Sequence, residues 1–336
     1  MPFRFFKPEN NNSSNNKKYP LVLVMHGSSE SGTDNERHIA KDYVKNWASN
    51  KVQLKHPCYV LAPQVHFNTW INEETNEIVN ATLDSLIAVD NIDENRIYLT
   101  GHSMGGFGSW FFPYYTSGKI AAAVPVSGFW LKPEWSNTTL QELTENYPNT
   151  SIWNFHHRRD GDQGIEESRK IVKEFEKHGI NFVKTNPYTG TTPRLTDVEI
   201  NELINNGTTK FYTEYDFPCE IGVIDCHQVA DRIIEDTLLI KWLFKQNKKD
   251  NLKTDLFNDI DFIMHPNPVN SIINIKSSIT TEGFYTIYSI NGKVVMKGKF
   301  NTKNPIYLNN LHKEGVFLIK FNTNNKDYLK KIIIKK

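Results

Sequence analysis

Gly101-His102-Ser103-Met104-Gly105-Gly106-Phe107-Gly108-Ser109-Trp110 decides the fold. It holds Gly-x-Ser-x-Gly directly after the apolar run Arg96-Ile97-Tyr98-Leu99-Thr100 and ahead of a predicted helix, the setting that a nucleophile elbow requires. The glycines have a chemical reason. The serine must occupy a sharp, strained turn, and side chains two positions to either side would collide with the strand and helix that cross there. A Gly-rich turn met by chance is the alternative, and the strand-to-helix setting weighs against it.

Upstream, Tyr19-Pro20-Leu21-Val22-Leu23-Val24-Met25-His26-Gly27 and Cys58-Tyr59-Val60-Leu61-Ala62-Pro63 are short continuous apolar runs, the pattern of strands buried on both faces. An amphipathic helical stretch from about Ile78 to Val89 precedes the elbow's strand. Downstream, Ala121-Ala122-Ala123-Val124-Pro125-Val126 and Ser151-Ile152-Trp153-Asn154-Phe155-His156 extend the series. Strands alternating with helices predict an α/β, doubly wound, mostly parallel sheet.

A serine needs a base that is itself oriented by an acid. On such a sheet both follow the serine in the chain, the acid first. His178, in Lys177-His178-Gly179, closes a helix that starts near Ile165, where a cation before a terminal Gly is a cap. His265 and His312 fall in a basic tail, and His156 and His157 precede the acid. His227 remains, on the loop entering a long amphipathic helix, Gln228 to Phe244. For the acid, Asp160 follows the buried strand, with Asp162 its rival; Asp162 suits an N-cap better. The amides of Met104 and Ser28 are the expected oxyanion donors. Gln64, Trp70, Phe129 and Trp130 follow strand ends on one edge and are candidates for a substrate wall, with ordinary core packing as the competing role.

His26-Gly27, Ala62-Pro63-Gln64, Trp70, the Arg96 to Gly106 run and the Trp153 to Asp160 run resemble the esterase, dienelactone-hydrolase and "predicted peptidase" branch of the α/β-hydrolase superfamily. The similarity covers residues 1 to 247. It implies a Ser-Asp-His triad at Ser103, Asp160 and His227, with no cofactor and no metal. Two departures stand out: the usual His-Gly ahead of the acid reads His156-His157, and the usual Val-Pro after it reads Gln163-Gly164.

Asn186 to Phe217 is an added stretch, either a lid or a solvated surface excursion. Within it Thr196-Asp197-Val198-Glu199 is a capping-box signature ahead of a short helix stopped by Gly207. Cys58, inside a strand, reads as a small core residue, and no CxxC spacing suggests zinc. Cys219 and Cys226 flank the approach to His227. If bridged, they close a loop of about eight residues, stabilising by roughly 2.5 kcal/mol in the chain-entropy model; otherwise they are two free thiols.

After a polar linker, residues 248–258, the pattern changes. Ile272-Ile273-Asn274-Ile275, Tyr285 to Ile290, Asn291-Gly292 and Lys293 to Met296 read as strands with a hairpin turn, and Gly315 to Phe321 and Lys331 to Ile334 add more. Residues 259–336 are expected to form a small all-β sandwich. His265-Pro266-Asn267-Pro268-Val269-Asn270, the Ile290 to Val295 hairpin, Leu308 to Ile319 and the Lys330 to Lys336 end resemble the type A C-terminal sorting domain of the type IX secretion system. A carbohydrate-binding or immunoglobulin-like module is the alternative; it would carry an exposed aromatic platform.

The 336 residues carry 39 basic and 38 acidic side chains, which excludes a dedicated polyanion or nucleic-acid binder. The near balance hides a split. Residues 258–336 hold 12 Lys and 5 acids, a net of +7, and residues 1–257 hold 27 basic and 33 acidic, a net of −6. No apolar run reaches the roughly 18 residues of a membrane span. The start, Met1-Pro2-Phe3-Arg4-Phe5-Phe6-Lys7, lacks a signal-peptide core, and Pro2 to Glu9 already reads as the first strand. A sorting domain presupposes such a peptide, so the resemblance implies a start that is truncated or mis-called.

The resulting expectation is a secreted or cell-surface serine carboxylic-ester hydrolase acting on a small or polysaccharide-linked ester, feruloyl or acetyl first. Its partner is the type IX machinery. A serine peptidase with the same triad and a non-catalytic secreted binding protein are the alternatives.

Overall fold

A computed structural model describes the chain except residues 10–16, 67–69, 117, 129–137, 146, 187–193, 220–225, 252–262, 277–281, 290–292, 310, 312–313, 324–326 and 336. It divides into two compact units, Met1–Leu252 and Lys253–Lys336.

The first unit is built on eight strands: β1 (Phe3–Phe6), β2 (Tyr19–Met25), β3 (Tyr59–Pro63), β4 (Ile92–His102), β5 (Ala122–Val126), β6 (Ser151–His157), β7 (Val183–Asn186) and β8 (Lys210–Tyr215). Their order across the sheet is β1-β3-β2-β4-β5-β6-β8-β7, and all but β1 run parallel to their neighbours. The unbroken apolar runs have a direct physical reason. On β2, Val22 and Val24 enter one core cluster with Trp153 and Trp242, while Leu21, Leu23 and Met25 enter another with Trp70 and Phe112. A strand covered on both faces favours apolar side chains at every position.

The sheet departs from expectation beyond β6. Asn186 to Phe217 is neither lid nor surface excursion throughout, because Lys210–Tyr215 is inserted as β8 between β6 and β7. Its sequence, Lys-Phe-Tyr-Thr-Glu-Tyr, hides this. Glu214 is fully buried yet bound by Arg169, at 2.9 and 2.8 Å, and by the Tyr212 hydroxyl at 3.0 Å. Thr196 does cap Asp197–Asn205 through a complete capping box. The expected helix from Gln228 to Phe244 is two, Ala230–Ile233 and Thr237–Lys245. Asp236 separates them, its carboxylate accepting from the N–H groups of Leu238 and Leu239.

The named strands of the second unit pair antiparallel: β9 (Ile263–His265), β10 (Ile272–Lys276), β11 (Glu282–Ser289), β12 (Val294–Asn301), β13 (Ile306–Tyr307), β14 (Gly315–Thr323) and β15 (Asp327–Ile334). They form sheets ordered β13-β10-β9 and β12-β11-β14-β15 around a core that includes Ile273, Ile287, Leu308, Ile319 and Phe321. The Asn291-Gly292 turn lies outside the described residues, but the strands flanking it pair as a hairpin. Lys248–Asn251, at the start of the expected linker, is one helical turn.

Candidate active site

Ser103 sits between β4 and the helix Met104–Tyr115 with φ 56° and ψ −117°, a backbone that few non-glycine residues adopt. The glycines around it are there for space. A Cβ on Gly101 would lie 2.3 Å from the carbonyl oxygen of Gly105, and one on Gly105 would lie 2.0 Å from that of Met25.

Asp160 follows β6, and its loop ends where the helix Gly161–Lys177 begins, four residues earlier than expected. Although Asp160 holds the N-cap position, its carboxylate makes no cap bond. It points at histidines instead. Oδ2 accepts from His227 Nδ1 at 2.7 Å and from His156 Nε2 at 2.8 Å. Burial works against the charge on Asp160, but the two imidazole donors outweigh it and hold its carboxyl below the usual range. Asp162 lies within the first turn of that helix, and its side chain is outside the described set.

With Nδ1 engaged by Asp160, His227 keeps only Nε2 for a hydroxyl. Its backbone is clamped as well. The His227 carbonyl accepts from His102 Nε2 at 2.7 Å and from Ser127 Oγ at 3.1 Å. Burial and the neighbouring His227 push His102 down to about 3, so it is a neutral N–H donor. Cys226, immediately before His227, is bridged to Cys219, with Cα atoms 5.3 Å apart. His157, Cys219 and Cys226 have their donor atoms within 4.8 Å of one another, but a disulfide leaves neither sulfur as a thiolate ligand.

Ser28 opens the 3-10 turn Ser28–Glu30 and Met104 opens the elbow helix, so neither N–H has an acceptor within its own element. The Gly27 N–H is engaged by the Tyr43 hydroxyl at 3.2 Å.

The expected pocket wall is corrected in part. Trp70 is fully buried, its indole N–H donating to the His26 carbonyl at 2.8 Å. Gln64 is equally buried; its amide donates to the Glu30 carbonyl and accepts from the Asn35 N–H. Both brace the loop after β2 instead of meeting a substrate. Phe129 and Trp130 lie outside the described residues. A cavity of about 420 Å³ opens at the end of β8, lined by Tyr215, Phe217, Arg194, Arg232, Asp216, Glu235 and Asp236, and includes none of the three triad candidates.

Sequence reading missed three contributors: His156, His102 and Ser127. Each is next to a recognised feature, yet nothing local shows that its side chain turns toward Asp160 or His227.

Among solved structures, the chain is similar to a thermostable esterase at 29% identity, with a TM-score of 0.53, over 73% of this chain and 59% of that one. The chain thus spans about three fifths of that esterase. It also aligns with FphF, a fluorophosphonate-binding serine hydrolase of Staphylococcus aureus in its substrate-bound form (14% identity, TM-score 0.48, 72% of this chain and 92% of that). Est1E from Butyrivibrio proteoclasticus aligns at 15% identity and a TM-score of 0.45, over 75% and 94%. Residues 263–335 match the family described as the secretion system C-terminal sorting domain. The chain joins an α/β-hydrolase fold to a sorting domain. No curated protein matches it. Ser103 follows the carboxyl end of β4, Asp160 follows β6, and the His227 carbonyl meets His102 at the end of β4.

Proposed function

We propose that this chain is a secreted serine carboxylic-ester hydrolase. The observation that carries the reading is the 2.7 Å contact between Asp160 Oδ2 and His227 Nδ1 in a unit whose elbow presents Ser103. Ser103 Oγ attacks the ester carbonyl, and His227 Nε2 takes its proton and returns it to the leaving alcohol. Asp160 fixes the imidazole tautomer, and the amides of Ser28 and Met104 receive the oxyanion. Water then releases the acid from the acyl-enzyme by the same steps. No metal or cofactor takes part in these steps.

Carbohydrate-linked esters, feruloyl or acetyl, are the first substrates to test, by analogy alone. The sorting domain supports export by the type IX machinery to the cell surface or beyond. The altered acid loop, the ground for a non-catalytic reading, presents the carboxylate that meets His227. Hydrolysis of a short-chain p-nitrophenyl ester by the wild type and by Ser103→Ala tests the core of this reading. Loss of turnover in the variant is expected; equal rates would refute it. A screen of feruloylated and acetylated glycans then selects the ester.

A further inference from the structure

Asp160 Oδ2 is shared between two imidazoles, and the second of them, His156, is fully buried at the end of β6. Its other nitrogen, Nδ1, lies 2.7 Å from Ser168 Oγ, and that hydroxyl lies 2.7 Å from the Gly128 carbonyl oxygen. The protons along this line can be counted. A carbonyl only accepts, so the single hydroxyl proton of Ser168 is spent on Gly128. The contact between Ser168 and His156 therefore needs a proton from His156 Nδ1. At the other end, the 2.8 Å contact between Nε2 and Asp160 also needs a proton, from the ring or from the carboxyl. A neutral imidazole beside an ionised carboxylate can satisfy one of these contacts but not both.

We propose that His156 and Asp160 together hold one proton more than the lone carboxylate of an ordinary triad, so that His227 leans on a pair without net charge. The proton sits on the His156 ring, beside an Asp160 carboxyl held anionic by its two imidazole contacts. Burial outweighs the Asp160 contact and lowers the His156 ring from its ordinary value; the two simultaneous contacts of its nitrogens are what assign the proton. The other groups that face the pair are His227, the neutral His102 and Glu214, whose carboxylate is matched by Arg169 and Arg158. Gly164, on the helix covering the pair, keeps it tight: a Cβ there would lie 3.4 Å from His156 Nε2. His156 is thus a positioning residue that tunes the base. A neutral pair stabilises a charged imidazole beside it less than an anion does, and its effect is read in the acid limb of turnover.

The effect on His227 rests on the reading of Asp160 and His227 as acid and base; the proton on His156 does not. In His156→Gln the carboxylate becomes a full anion, and the acid limb of kcat/KM against p-nitrophenyl acetate should rise by about one pH unit. Ser168→Ala removes the acceptor of Nδ1–H and should raise the same limb. If Ser168 were instead the donor, its loss would make Nδ1 more basic and lower the limb. An unchanged limb in His156→Gln, or an unchanged or lowered one in Ser168→Ala, overturns the proposal. Nitrogen-15 spectroscopy of the wild-type His156 ring at pH 7 decides the same point without turnover. Protonation of both ring nitrogens is expected, and a ring with either nitrogen bare overturns the proposal even if the protein hydrolyses no ester.

Discussion

The imidazole of His102, the residue immediately before the elbow serine, donates to the backbone carbonyl of His227 at 2.7 Å. The strand that leads into Ser103 and the loop of His227 are tied by that bond between residues 125 positions apart, which fixes the His227 backbone relative to the end of β4. Removing it should loosen the base. His102→Ala is expected to destabilise the protein by about 1–3 kcal/mol, because it removes one of the two donors to the His227 carbonyl and leaves a cavity. Its kcat/KM should fall roughly tenfold or more. Denaturant unfolding and ester kinetics on the same preparation check both numbers. His102→Gln, which retains a donor, should recover part of each.

His102 and His26 also set an acid limit to stability. Burial holds His102 at about 3 and His26 at about 4, both below the roughly 6.5 of an unfolded chain. The folded state binds fewer protons than the unfolded one between those values. Their contribution is therefore full above about pH 6.5 and is lost as pH falls toward 3 to 4. Melting temperature recorded from pH 8 to pH 4 should fall through that interval, and less steeply in His102→Gln.

The Cys219–Cys226 bridge closes a short loop directly before His227. Reduction, or the double substitution to Ser, should cost about 2.5 kcal/mol in the chain-entropy model. Calorimetry with and without reductant reads the loss as a drop of several degrees. The accompanying fall in kcat should exceed any rise in KM if the bridge acts by positioning His227, the proposed base.

Gly105 approaches the β2 backbone so closely that a methyl group cannot be accommodated. Gly105→Ala should cost more than about 3 kcal/mol and yield little soluble protein, because the obstructing atom is the Met25 carbonyl oxygen and belongs to a central strand. Gly161→Ala, at φ +54° with no atom within 4 Å of its Cβ, should cost about 1 kcal/mol, the strain of that backbone alone. Soluble yield and unfolding midpoints of the two variants separate crowding from strain.

Much of this protein was legible in its sequence because the physics behind it is local. A strand buried on both faces favours an unbroken apolar run, which marked β2 and the Ile97–Leu99 part of β4. An elbow needs glycines at fixed offsets, which marked Ser103. The tail's ordered short motifs marked a sorting domain, and residues 263–335 match one. What stayed hidden depends on distant partners. Lys210–Tyr215 looks like a loop because its buried Glu214 is neutralised by Arg169, 45 residues away. Trp70 looks like a pocket wall until the His26 carbonyl claims its indole. The same holds at the candidate site. Sequence order alone narrowed the acid to Asp160 or Asp162 and the base to His227, but only the tertiary structure brought Asp160 to His227, added His156 to the same oxygen and tied His227 to His102. Hydrogen bonds between residues far apart in the chain leave no periodic trace in it, and they are what decide which imidazole meets which carboxylate.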